Sequence, residues 1–71
     1  MNLKIAEIGR EYKVLSVDTG DGELDAFLFS LGCYAGEPIV VVSRRKSGAV
    51  IAIKDARYSI DNRLAEAIKL G

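Results

Sequence analysis

Histidine and tryptophan are absent from this sequence, and cysteine, proline and methionine occur once each. Without histidine the chain lacks the commonest metal ligand and the commonest general base at neutral pH. A single cysteine, Cys33, cannot close an internal disulfide, so a reducing cytoplasm is the natural setting. Net charge is missing too: ten Lys+Arg balance ten Asp+Glu, whereas nucleic-acid binders carry a basic excess. No apolar run approaches the ~20 residues of a membrane span. Met1-Asn2-Leu3-Lys4 has none of the basic, apolar and small-residue regions of a signal peptide. The expectation is a cytoplasmic protein with no nucleic-acid partner and no direct membrane insertion.

What is present is an ordinary globular composition, 49% hydrophobic and 28% charged over 71 residues, which makes one domain spanning residues 1–71. A chain this short buries only about 60% of its unfolded surface, so its core has little slack. Neither an internal repeat nor a low-complexity tract interrupts it.

The stretch Leu31-Gly32-Cys33-Tyr34-Ala35-Gly36-Glu37-Pro38 joins the strongest helix signal to the strongest strand signal. Gly32 stands where a helix would end in a left-handed residue, and Pro38 suits the first position of a strand. Ahead of it, Ile5 and Ile8 read as an apolar lead-in. Glu11–Val17 reads as a first strand with Tyr12, Val14 and Ser16 on one face and Leu15 and Val17 on the other. Asp18–Gly22 is a turn cluster, with Asp21 as N-cap and Glu23 and Asp25 favoured at the positive end of the helix dipole. The spacing then predicts a helix over 22–31 whose buried face is Leu24, Phe27, Leu28 and Leu31. Phe29 lies about 140° from Leu24 and faces outward unless the N-terminal segment covers it, which is the structural expectation; the functional alternative is a partner-binding surface.

Beyond the connection, Ile39–Ser43 is a β-branched strand, apolar on both faces, and Arg44-Arg45-Lys46-Ser47-Gly48 is a basic hairpin loop. Ala49–Lys54 returns as a strand, Asp55-Ala56-Arg57 makes a tight turn, and Tyr58-Ser59-Ile60 is a short fourth strand. Asp61 caps a helical turn over residues 62–65, and Ala67–Leu70 closes as a fifth strand. The pattern predicts a mainly β fold: a small, strongly bent barrel with one short α-helix between its first two strands and one helical turn near its C-terminus.

From about Leu24 to Leu70 the chain resembles the ferrous iron transport protein A family, FeoA. The shared features are the turn Leu31-Gly32-Cys33-Tyr34-Ala35-Gly36, the strand Ile39–Val42, the segment Tyr58-Ser59-Ile60-Asp61 and the ending Leu64-Ala65-Glu66-Ala67-Ile68-Lys69-Leu70. Ala35 and Ala49 stand where that family often has proline, Phe27 and Asp61 where arginine is common, and Leu64 where glutamate is usual. The resemblance implies an SH3-like barrel and an accessory role in ferrous iron transport. The implied partner is a FeoB-type GTP-dependent membrane transporter, bound through its cytoplasmic portion. A related barrel ends iron- and manganese-dependent repressors, so a divalent-metal-sensing or metal-binding module is one alternative. A generic SH3-like protein-binding module is another, weakened by a total of five aromatic residues.

No residue set supports catalysis or a cofactor. Cys33 occupies the apolar slot of the turn and reads as a buried core cysteine. Asp18, Asp21, Glu23 and Asp25 lack the spacing of a calcium loop and read as a capped helix start. The surfaces expected to bind a partner are Phe29 and the basic cluster Arg44, Arg45 and Lys46, whose bland reading is a solvated hairpin tip. Exposed strand edges leave a weak homo-oligomer open.

Overall fold

In the computed structural model, which describes residues 1–71, the elements follow the predicted order. A 3-10 turn (Leu3–Ile5) leads into β1 (Glu11–Val17), α1 (Gly22–Leu31), β2 (Pro38–Arg45) and β3 (Gly48–Ile53). Then come β4 (Ala56–Asp61), α2 (Asn62–Ala67) and β5 (Ile68–Leu70). The five strands form one antiparallel sheet in the order β4-β3-β2-β1-β5, bent into an SH3-like barrel. The core inside it is aliphatic: Leu3, Val14, Leu28, Ile39, Val41, Ile51 and Ile68 lose essentially all solvent contact. No helix is long and apolar enough to cross a membrane.

Both helices start on aspartate. The Asp21 side chain accepts from the Glu23 and Leu24 N–H groups, and the Asp61 side chain from the Leu64 N–H. Each satisfies donors that the first turn of a helix leaves free. At its other end α1 closes with Gly32 N–H donating to the Phe29 carbonyl and Cys33 N–H to the Leu28 carbonyl, both at 3.0 Å. This double closure needs a left-handed residue, and Gly32 supplies it at φ +104°. The connection is then tied to β1: Gly36 N–H donates to the Val14 carbonyl (2.8 Å) and Val14 N–H to the Glu37 carbonyl (2.9 Å).

Several local expectations are corrected. Two register breaks, at Leu15 in β1 and Val42 in β2, each insert a residue opposite none. After the first, Val17 returns to the inner side while Leu15 and Ser16 are exposed. In the N-terminal segment Leu3 and Ala6 are buried, whereas Ile5 and Ile8 are exposed. The β3–β4 turn is Lys54-Asp55 rather than residues 55–57, so Ala56 and Arg57 belong to β4. The β2–β3 turn shrinks to Lys46-Ser47, with Arg44 and Arg45 inside β2. On α1 only Leu28 is fully buried; Leu24 and Leu31 are half-buried, and Phe27 is 51% exposed instead of joining the buried face.

Candidate docking face beside the first helix

Phe29 points into solvent at 62% exposure, so the expected cover from the N-terminal segment is not there. That segment lies across the barrel instead, against α2 and β5. The Phe29 ring meets Tyr34 with ring centroids 4.9 Å apart, tilted by 37°. This geometry lies within the range in which aromatic pairs attract. Tyr34 in turn sits under the Lys54 ammonium, 5.2 Å from the ring centroid, and Lys54 pairs with Glu37. The hydrogen bond to Glu37, and after it that to Tyr34, holds the Lys54 ammonium protonated well above its ordinary range.

Three separate elements deliver these groups. α1 carries Phe29 on its outer side, the turn after Gly32 carries Tyr34 and Glu37, and the β3–β4 turn carries Lys54. Lys54 and Asp55 both adopt positive φ, 51° and 63°, as a two-residue hairpin turn of the tightest kind requires. The Lys54 stem then lies over Gly32, where an added Cβ would fall 2.5 Å from Lys54 Cγ. Gly32 therefore serves twice, ending the helix and making room for the lysine. The result is a small aromatic platform with one fixed cation and one fixed carboxylate on its rim. Phe27 lies two residues from Phe29, about 200° round the helix, and belongs to the other flank.

The other predicted surface is divided. Arg44 turns inward, its Nη2 donating to the Leu3 carbonyl (3.2 Å) and the Ala6 carbonyl (2.8 Å). It fastens the N-terminal segment to β2 rather than standing at a hairpin tip. Arg45 and Lys46 are exposed beside the turn. Six residues of β3 separate that turn from Lys54, about 20 Å at strand spacing. Phe29 and the basic hairpin thus occupy opposite ends of the sheet and cannot form one patch. Tyr34, Glu37 and Lys54 were not among the expected site residues.

The aspartates around the start of α1 have structural work. The Thr19 main-chain N–H (2.9 Å) and then its hydroxyl (2.7 Å) donate to Asp25, holding that carboxyl below the usual carboxylate range. Asp18 accepts from the Gly20 N–H, and Asp21 caps α1. No three Asp, Glu, Cys or His side chains gather closely enough to share a metal ion. Cys33 is buried, and that burial pushes its thiol up to about 11, the opposite of what an activated thiolate needs. The two surface clefts, of about 200 and 270 Å³, are open and lined mainly by polar residues, unlike the concave apolar pockets that hold small ligands.

Residues 1–70 match the family model described as the FeoA domain. The chain is similar to a crystal structure of an iron uptake regulatory protein (FeoA). Identity there is 22% and the TM-score 0.87, over 99% of this chain and 93% of that one. It is also similar to Stenotrophomonas maltophilia FeoA complexed with zinc, described as a prokaryotic SH3 domain protein. In that case identity is 17% and the TM-score 0.89, over 100% of this chain and 89% of the other. A manganese-dependent transcriptional repressor matches at 21% identity and a TM-score of 0.85, over 96% of this chain but 39% of its own. Identities this low establish the shared barrel and nothing finer. A comparison with curated proteins finds no match.

Proposed function

Because the chain belongs to the FeoA domain family, matching its model over residues 1–70, we propose that it is a cytoplasmic accessory protein of ferrous iron transport, without enzymatic activity of its own. In this reading it docks on a FeoB-type GTP-dependent membrane transporter and modulates it. The chain contributes binding energy alone. By fitting one conformation of the transporter better than another, it shifts that partner's equilibrium.

The observation that supports this reading best is the exposed Phe29–Tyr34 platform with Lys54 at its edge. Aromatic residues at the centre of a contact carry most of its energy, and a flanking fixed charge orients the partner. Phe29 is held by α1 and by Tyr34, so little freedom is lost when a partner covers it. Its removal should leave the barrel standing, since the core residue of α1 is Leu28.

Capture of the transporter from membranes on the immobilised chain tests the proposal. Phe29→Ala is expected to weaken capture about tenfold or more, the loss of one central anchor, with the circular dichroism spectrum unchanged and the thermal midpoint lowered by no more than a few degrees through loss of the Tyr34 ring contact. Arg45→Glu with Lys46→Glu, at the far end of the sheet, is expected to leave capture near the wild-type level. The reverse pattern would move the docking surface to the hairpin. Undiminished capture by a folded Phe29→Ala variant would sink the platform as the docking site.

A further inference from the structure

We propose that the outer edge of β4 is a self-association surface, at which a second copy of this chain pairs β4 to β4, antiparallel, about a two-fold axis at Ser59.

β4 is an end strand of the sheet, and its main chain over residues 56–60 makes no hydrogen bond outside its ladder with β3. The two-residue turn Lys54-Asp55 makes Ile53 and Ala56 the closing, hydrogen-bonded pair of the hairpin. Such pairs alternate along an antiparallel ladder, so Tyr58 and Ile60 also bond inward to β3. Arg57 and Ser59 consequently turn both N–H and C=O out to the free edge, and Asp61 its N–H, its carbonyl opening α2. Their side chains share one exposed face, while Ala56, Tyr58 and Ile60 lie on the covered one. The Arg57 guanidinium and the Ser59 hydroxyl have no partner within the chain.

A free edge is normally blunted by charge. Here the two charges lie at equal distance on either side of Ser59. A second copy running antiparallel about Ser59 sets Arg57 opposite the partner's Asp61, twice, and Ser59 opposite its own counterpart. The opposed residues are the same three that carry the outward main-chain groups, both groups of Arg57 and Ser59 and the N–H of Asp61, so hydrogen-bond phase and charge pairing select one register. Tyr58 then faces the partner's Ile60 on the covered side. Neighbouring registers of the same phase are worse. Centring on Arg57 or Asp61 opposes like charges at the axis. Centring on Tyr58 sets Arg57 against Ser59 and leaves Asp61 beyond the strand end, and centring on Ile60 sets Asp61 against Ser59 and leaves Arg57 opposite α2, so neither forms an opposite-charge pair. Cross-strand pairs of opposite charge attract and like pairs repel, so the edge is complementary to itself and to no shifted copy of itself. The contact is isologous and closes at two copies.

One strand edge is a small interface, so pairing is weak, with a dissociation constant of roughly 0.1–1 mM. Sedimentation equilibrium of the full chain over a concentration series up to about 2 mM reads it directly. Wild type is expected to shift from monomer to dimer across that range. Arg57→Asp replaces two attractive pairs by two repulsive ones and should weaken dimerisation about tenfold or more. Mixing Arg57→Asp with Asp61→Arg restores both attractions and should restore pairing, as a heterodimer. Asp61→Arg also removes the α2 cap, so Ser59→Pro provides an independent arm: it blocks an outward N–H, spares the β3 ladder, and should leave a folded monomer. A wild type that stays monomeric throughout overturns the proposal. So does a dimer that survives both Arg57→Asp and folded Ser59→Pro, because it must use another surface. Phe29→Ala should not change the dimer at all, which keeps this surface separable from the docking platform.

Discussion

The guanidinium of Arg44 donates to two carbonyls of the N-terminal segment while its neighbour Arg45 stands in solvent. Adjacent residues of one sequence cluster therefore have different work, because consecutive strand residues face opposite sides. A charged donor satisfying two main-chain acceptors in a partly covered site contributes more than a neutral one. Arg44→Met keeps much of the aliphatic stem and removes both bonds. Its expected cost is about 2 kcal/mol in urea unfolding. Arg45→Met should stay within about 0.5 kcal/mol of wild type, as exposed substitutions usually do. The amides of residues 3–6 should exchange faster in Arg44→Met, because the segment that the arginine holds would open locally before the barrel does. Equal effects of the two substitutions would show that Arg44 acts only as a surface charge.

Among the elements, the connection from α1 to β2 decides where the docking platform sits. Gly32 at φ +104° ends the helix and lets Lys54 cross above it, and the turn that follows delivers Tyr34 and Glu37. In Gly32→Ala the left-handed conformation costs about 1–2 kcal/mol, and the new Cβ displaces the Lys54 stem. The variant is expected to lose about 2 kcal/mol of stability and, at temperatures where it remains folded, the Lys54–Glu37 pairing as well. The nuclear magnetic resonance shifts of Tyr34 and Lys54 would report that second loss. Wild-type shifts there would mean the lysine does not depend on the glycine. The bounds of α1 and both of its caps were legible, because Asp21, Gly32 and the apolar spacing are local signals. The bulges at Leu15 and Val42 were not, since neither an alternating strand pattern nor an unbroken apolar run gives any sign of an inserted residue. The breadth of the α1 stripe misled at Phe27: the small barrel covers only the line through Leu28, leaving the flank open. Of the platform, Phe29 could be singled out by its angle on the helix. Its companions come from turns far apart in sequence, and Lys54-Asp55 carries none of the Asn-Gly character that marks such a hairpin.

For the whole molecule, the lack of histidine and the few shifted groups fix how stability must vary with pH. Asp25 and Glu66 have carboxyls lowered from 3.8 and 4.5, by hydrogen bonds from Thr19 and from Lys4 respectively. Their contribution is present above those unfolded values and is lost as pH falls through the lower folded ones. Cys33 is shifted the other way, from 9.0 to about 11 by burial. Above pH 9 the unfolded chain gives up the thiol proton while the folded chain keeps it, so stability falls as pH rises until the folded thiol also ionises. Lys54, raised by Glu37 and Tyr34, adds stability below its ordinary 10.5 that disappears as pH rises through its folded value. With no histidine to titrate between these limbs, the urea midpoint is expected to be flat from about pH 5.5 to 8. It should decline on the acid side below about pH 4.5 and on the alkaline side above about pH 9. Cys33→Ala assigns the first part of the alkaline limb. Removing a buried sulfur lowers stability at every pH, an offset, but only the slope between pH 9 and 11 reports the thiol. That slope should become shallower by at most about 1.4 kcal/mol per pH unit, while the acid limb and the Lys54 decline remain. An unchanged alkaline slope in Cys33→Ala would mean that the thiol is as free to ionise in the folded barrel as outside it, and that its place in the core does not couple protonation to folding.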